Sequence, residues 1–146
     1  VDFEQPLAQK KFYYVLWELD QAPIGHSNIN KIVYGQEAYM HLHLWHSQKR
    51  KGGHGTFFIQ ESINRYFELF HLQNLFCEPY ALNPAPNKTL AKAGFELLKT
   101  YETTPGWINF NQPVNRWVLT KETWLQASKS NKLRTSAAPQ AGGLGG

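Results

Sequence analysis

Two groups of residues in the stretch HLHLWHSQKRKGGHGT, residues 41 to 56, have the types and spacing that chemistry needs. The first is His41, His43 and His46, a His-x-His-x-x-His pattern. Imidazole ligates zinc and serves as a base near neutral pH, with an ordinary pKa of about 6.5. Two histidines two apart on a strand point to the same side of a sheet. The second group is Arg50-Lys51-Gly52-Gly53-His54-Gly55. Glycines let a backbone turn tightly and approach a ligand closely. If a helix follows, its first N–H groups lack intrahelical acceptors, and its dipole favours an anion there. Arg50 can add a forked, charge-assisted contact to phosphate oxygens. A plain turn with a helix cap is the structural alternative for this group.

The histidine spacing is similar to that of the metallo-β-lactamase-like hydrolases. That family places an acid just before the third histidine, where this chain has Trp45. It also takes later His and Asp ligands, whereas only His54 and His71 follow here. Metal chemistry is therefore the lesser reading, and no metal is expected. The alternative places His41 and His43 as polar residues on one strand face, with His46 opening a loop. The glycine run is not a Walker loop, because no Gly-Lys-Ser/Thr follows. Nor is it the G-x-G-x-x-G dinucleotide fingerprint, since no parallel βαβ unit with a later ribose-binding acid accompanies it.

Which elements position these groups follows from the periodicity. KFYYVLWEL at 11–19 is aromatic, β-branched or long apolar, and reads as a strand. DQAP at 20–23 is a turn, 24–33 a returning strand and 34–37 a second turn. In 38–45, Met40, Leu42 and Leu44 alternate with Tyr39, His41 and His43, which predicts a third strand and an antiparallel meander. Past the glycines the period changes. Ile59, Ile63, Tyr66, Phe67 and Phe70 follow the stripe of an amphipathic helix. Residues 74–80 read as a short buried strand. In 83–95, Pro84 and Pro86 suit a first helical turn and Gly94 the position just past a helix end. FELLKTYET and NRWVLTKET read as two more strands. The predicted order is β-β-β-α-β-α-β-β, an α/β domain with a mixed sheet.

Composition bounds the class. The chain has 146 residues, 42% hydrophobic and 14% aromatic, enough for one domain with a real core. Its net charge of +4 is spread thinly, apart from Lys49, Arg50 and Lys51. A basic stripe suited to nucleic acid is absent, so no nucleic-acid partner is expected. No apolar run approaches the roughly 18 residues of a membrane span, and no signal peptide is visible. A single cysteine, Cys77, excludes an internal disulfide and fits a reducing, cytoplasmic setting. Residues 1–127 are expected to form the domain. Residues 128–146 end in SAAPQAGGLGG and are expected to be a low-complexity tail.

RKGGHG resembles the Arg/Gln-x-x-Gly-x-Gly/Ala loop of the GCN5-related N-acetyltransferase (GNAT) superfamily. A second segment, NPAPNKTLAKAGF, is similar to the Asn-x-x-Ser-x-x-x-x-x-Lys-x-Gly-Phe segment of its ribosomal-protein and small-molecule N-acetyltransferase branch. Asn83, Lys92, Gly94 and Phe95 match, and Pro86 replaces the serine. RWVLTKETW looks like the final strand of that branch, so the resemblance spans about residues 11 to 125. It implies a mixed, mostly antiparallel sheet with splayed central strands and flanking helices. The family's first strand and the two helices after it have no counterpart here.

The resemblance also implies acetyl-CoA as co-substrate, an amine acceptor (a small molecule or a peptide N-terminus), and a possible homodimer. The pantetheine arm would enter between the splayed strands like an added strand. Leu42, Leu44 and Trp45 would line it. The amides of Lys51, Gly52, Gly53, His54, Gly55 and Thr56 would hold the diphosphate beside Arg50. Asn83 would face the arm or cap its helix, with Asn87 and Lys88 on the following turns. A base must take the amine's proton. His43 is the first choice, with His41 and Glu37 as further candidates. Tyr39 and Tyr80 are candidate substrate contacts. Many members place an acidic tyrosine where this chain has Leu90. The alternative reading is a CoA-binding member of the fold without efficient catalysis. If Arg50 grips the diphosphate, Arg50→Ala raises the apparent constant for acetyl-CoA in steady-state assays, and an unchanged constant removes it from that role.

Overall fold

The computed structural model describes residues 6–44, 54–104 and 111–127. Strands β1 (Phe12–Leu19), β2 (Ala22–Val33) and β3 (Glu37–Leu44) form the expected meander. Asp20 and Gln21, with φ of 53° and 66°, make a two-residue turn of the kind that matches strand twist, so β2 begins at Ala22, earlier than the periodicity indicated. Helix α1 (His54–Phe70) then carries the chain to β4 (Asn74–Cys77), which pairs parallel to β3. A parallel pair needs such a crossover. Helix α2 (Pro84–Lys92), β5 (Glu96–Thr103) and β6 (Gln112–Thr120) complete a six-stranded sheet of order β1-β2-β3-β4-β6-β5, with all other adjacent pairs antiparallel.

Two ends differ from the sequence reading. The last strand stops at Thr120, and 121–127 form a helix, α3, where the strand was expected to continue. The Thr120 hydroxyl accepts the Thr123 N–H at 3.2 Å, capping that helix, and Trp124 stacks on Phe67 at 4.8 Å. The short strand at 74–80 ends at Cys77, because Pro79 has no N–H to give the ladder. Past α2, Gly94 at φ 98° closes a Schellman cap. Phe95 N–H donates to the Leu90 carbonyl and Gly94 N–H to that of Ala91.

All the helices described lie on one face of the sheet. Ile63, Tyr66, Phe67 and Phe70 of α1 are buried against Ile29, Met40 and Leu75. Leu90 of α2 and Trp124 of α3 join the same cluster. Two polar stitches sit inside it: Trp17 Nε1 donates to Ser62 Oγ at 3.0 Å, and Tyr66 Oη to Ser27 Oγ at 2.7 Å. Burial drives the Tyr66 hydroxyl's pKa upward, so it stays a neutral donor. The opposite face carries Phe12, Tyr14 and Leu16 of β1, each close to half exposed, with the alternate residues of the other strands. Removing the Tyr66 hydroxyl strands the buried Ser27. Tyr66→Phe is expected to lower unfolding free energy by about 1–2 kcal/mol, read from the denaturant midpoint. An unchanged midpoint would show that this stitch holds nothing.

Candidate functional site

The ladder between β3 and β4 is short. Glu37, Ala38, Tyr39 and Met40 pair with Asn74, Leu75, Phe76 and Cys77, and there the pairing stops. β3 runs on to Leu44, still paired with β2 through Leu42–Ser27, His43–His26 and Leu44–Gly25. Beyond Met40, the edge of β3 that faced β4 has no strand beside it among the described residues. Every second backbone unit along it is open to a new partner. Helix α1 starts at this end. Gly35 N–H donates to the Phe70 carbonyl at 2.8 Å, which pins the far end of α1 to the β2–β3 turn. The helix N-terminus therefore lies toward the parted strands. Its first turn holds no acidic residue to oppose an anion.

On the helix-free face the register lines side chains up in rows across the sheet. One row crosses at the parting itself: Tyr14, Asn28 and His41 on one side, then Arg116 and Lys99 on the other. Glu78, the first residue past β4, joins the second group. Its Oε2 accepts Arg116 Nε at 2.6 Å and Tyr101 Oη at 2.5 Å. The Arg116 guanidinium lies over Tyr39, Phe76 and Tyr101, at 5.8, 5.8 and 5.4 Å from their ring centroids. A planar cation stacks well on such rings. The row beyond holds His26, stacked on Tyr14 at 4.7 Å and tilted against His43 at 4.6 Å.

His41 stands at the parting, next to the last paired residue. Burial is the main cause that holds its pKa below the ordinary histidine value, followed by repulsion from His43 and Lys31, while Glu78 pulls the other way. The imidazole is thus neutral at pH 7. Its Nε2 meets Asn30 Oδ1 at 3.1 Å. An amide oxygen only accepts, so Nε2 carries the proton and Nδ1 keeps the lone pair. His26 is lowered too, by burial and then by His43. Cys77 is buried and its thiol is pushed up to about 12, which makes it an inert core residue rather than a nucleophile.

No family model matches the chain, and no curated protein matches it. Solved structures do. A mutant of the spermidine N-acetyltransferase SpeG of Vibrio cholerae superposes with a TM-score of 0.71 at 18% identity, over 82% of this chain and 72% of that one. The aminoglycoside acetyltransferase AAC(6')-Ib in complex with coenzyme A gives 0.66 at 20%, over 86% and 76%. The N-acetyltransferase PseH of Campylobacter jejuni in complex with acetyl coenzyme A gives 0.60 at 16%, over 77% and 70%. The chain has the GNAT fold.

Within that fold the expected site residues are spread over several elements. Leu42 is half buried against the helix-side core and Leu44 ends β3, both on the parted stretch. His54, Gly55 and Thr56 are the first residues of α1. His41 is at the parting, and His43 is two residues beyond it on the same face. Trp45, His46, Arg50, Lys51, Gly52 and Gly53 lie outside the described residues. Asn83 caps α2 by position, exposed and without a side-chain capping bond, and Lys88 is exposed on the same helix.

Two candidates stand apart from the others by placement or bonding. Glu37 opens β3 four residues before His41, about 13 Å away along an extended strand, so it does not join the histidines. Asn87 is spent on structure. Its amide nitrogen donates to the carbonyls of Tyr80 and Asn83, and its oxygen accepts from Asn115 Nδ2 and Trp117 Nε1. That saturates the side chain, with nothing left for a coenzyme. Among the described residues no group of three or more His, Cys, Asp or Glu is arranged to hold a metal ion. The sequence reading missed Glu78, Arg116, Tyr101 and Asn28. Only the register, invisible in one dimension, brings them to the parting. Asn87→Ala is expected to cost about 2–3 kcal/mol of stability in denaturant titration, because it leaves several half-buried partners unpaired. A variant of full stability with weakened acetyl-CoA binding would return Asn87 to the coenzyme.

Proposed function

We propose that this protein transfers an acetyl group from acetyl-CoA directly to a primary amine. The parting of β3 and β4 after Met40 and Cys77 carries the reading. An unpaired strand edge accepts an amide-bearing arm as an added strand, with main-chain hydrogen bonds giving affinity. The N-terminus of α1 points its free N–H groups at that end, which suits a diphosphate. The match of Asn83, Lys92, Gly94 and Phe95 to the ribosomal-protein and small-molecule branch supports the same choice. Acetyl-CoA supplies an acetyl thioester, from which the amine takes the acetyl as the C–S bond breaks.

The chain's own part is proton handling and placement. Neutral His41, with its Nδ1 lone pair available, is the base that this geometry favours over His43. His43 adjusts it, since a second imidazole in the next row opposes charging of the first. A second reading, coenzyme binding without efficient turnover, is favoured by one observation. Leu90, at the place of the family's acidic tyrosine, is fully buried. The departing thiolate then draws its proton from water, which a good leaving group tolerates.

Two measurements test this. Acetyl-CoA should raise the melting temperature by mass action, and thiol should appear over a panel of amines. No shift at high acetyl-CoA ends the acyltransferase reading; a shift without thiol release selects the second reading. In pH profiles, a base with a lowered pKa must lose activity only as pH falls through a value below about 6.5. His41→Gln should abolish that acid limb. His43→Gln should keep it and move it to higher pH, because the repulsion is gone. If His43→Gln instead removes the limb, the base is His43.

A further inference from the structure

Glu78 is only half committed. Both of its hydrogen bonds, from Arg116 and from Tyr101, fall on Oε2, and Oε1 has no partner among the described residues. The two donors fix the carboxylate's orientation at the parting. By register His41 lies across from it, each standing one residue past the Met40–Cys77 pair. Beside His41 in the same row, Asn28 Oδ1 is buried and meets no hydrogen-bond donor among the described residues. One buried, unsatisfied amide oxygen, one carboxylate oxygen on a partly exposed side chain and one imidazole lone pair thus surround the point where the strands separate. A buried acceptor left alone costs free energy, so this arrangement asks for a donor-rich group. A primary ammonium, with three N–H donors, supplies them.

The surroundings limit what that ammonium can be attached to. The Glu78 charge is balanced by Arg116. Lys31 sits over the Tyr39 ring at 5.1 Å and Lys99 over the Tyr101 ring at 4.8 Å. A second cation on the acceptor would meet these positive groups. The other carboxylates of the described face are remote: Glu96 is three strands from β3, about 14 Å away, Glu18 is two strands from β3 near the end of β1, and Glu37 is about 13 Å from His41. Near His41 the face is instead built of rings, with Tyr14 stacked on His26 and Tyr39 stacked on Phe76 at 5.1 Å.

We infer that the acceptor is a monoamine with an aromatic or apolar body, bound from the helix-free face, its ammonium held by Glu78 Oε1 and Asn28 Oδ1 beside His41. The inference rests on the acyltransferase reading. The first ammonium proton passes to His41 and on to water. The C–N bond forms as the thioester C–S bond breaks; the second proton leaves the nitrogen to water, and the departing thiolate takes a proton from water. The coenzyme occupies the strand edge and the helix terminus, the acceptor the opposite face, so each can be weakened alone.

The full chain with acetyl-CoA is assayed for thiol release with phenethylamine, hexylamine, putrescine and spermidine. The wild-type protein should use the two monoamines with kcat/KM at least about tenfold above either polyamine. Glu78→Gln should cut kcat/KM for phenethylamine by about tenfold or more, mainly through the amine's KM. The acetyl-CoA thermal shift of that variant should stay unchanged, which also shows that it folds. A preference for spermidine, or a Glu78→Gln protein with unaltered amine kinetics, overturns the inference and leaves acetyl transfer standing. Absence of any acetyl-CoA shift in the wild-type protein removes the acyltransferase reading itself. The wild-type ranking decides the substrate class even if Glu78→Gln does not fold.

Discussion

The structure depends on one broken ladder. β3 and β4 are laid side by side by the α1 crossover, yet they share only four residue pairs. Past Cys77 the chain keeps company with β6 alone: the Pro79 carbonyl accepts the Asn115 N–H at 3.0 Å and Tyr80 bridges Val114. β3 persists four residues longer because β2 supports its other edge. The result is an opening in the middle of a sheet whose other joins are closed. An unpaired edge is ordinarily a liability, a template for stray pairing. Here it lies beside a helix N-terminus and beneath a row of titratable side chains, and the proposed acetyl transfer rests on that geometry.

The two faces of the sheet divide the labour. One is dry, packed by Ile63, Tyr66, Phe67 and Phe70 and held in register by the serine stitches to Trp17 and Tyr66. That packing fixes α1 and so fixes where its N-terminus points. The other face keeps its polar groups usable. Glu78, Arg116 and Tyr101 form one connected unit, with aromatic rings stacked about the guanidinium and both donors on the carboxylate's Oε2. His41 is kept neutral chiefly by burial. Rigid placement on strands suits a proton-transfer site, because it needs little rearrangement to act.

Much of the fold was legible in the sequence. The alternation of Met40 and Leu42 with His41 and His43 gave the strand and both of its faces. The stripe from Ile59 to Phe70 gave the helix, and Gly94 its partner's end. These are local signals with a fixed period. The helix at 121–127 was missed because Thr120 reads equally as a β-branched strand residue and as a cap. Of the candidate site, the placement of His41 and His43 on one strand face was legible, and the residues gathered by register were not. Glu78 and Arg116 are 38 residues apart and meet only because β4 and β6 are neighbours. Asn87 looked like a ligand-facing asparagine because nothing in one dimension shows that its four bonds are already taken.

The most direct measurement of the central claim is amide hydrogen exchange with and without acetyl-CoA. Added coenzyme should slow exchange at the parted end of β3, residues 41 to 44, and in the first turn of α1, while the β1–β2 hairpin stays as it was. Protection confined to other segments, with these two unaltered, would contradict the account.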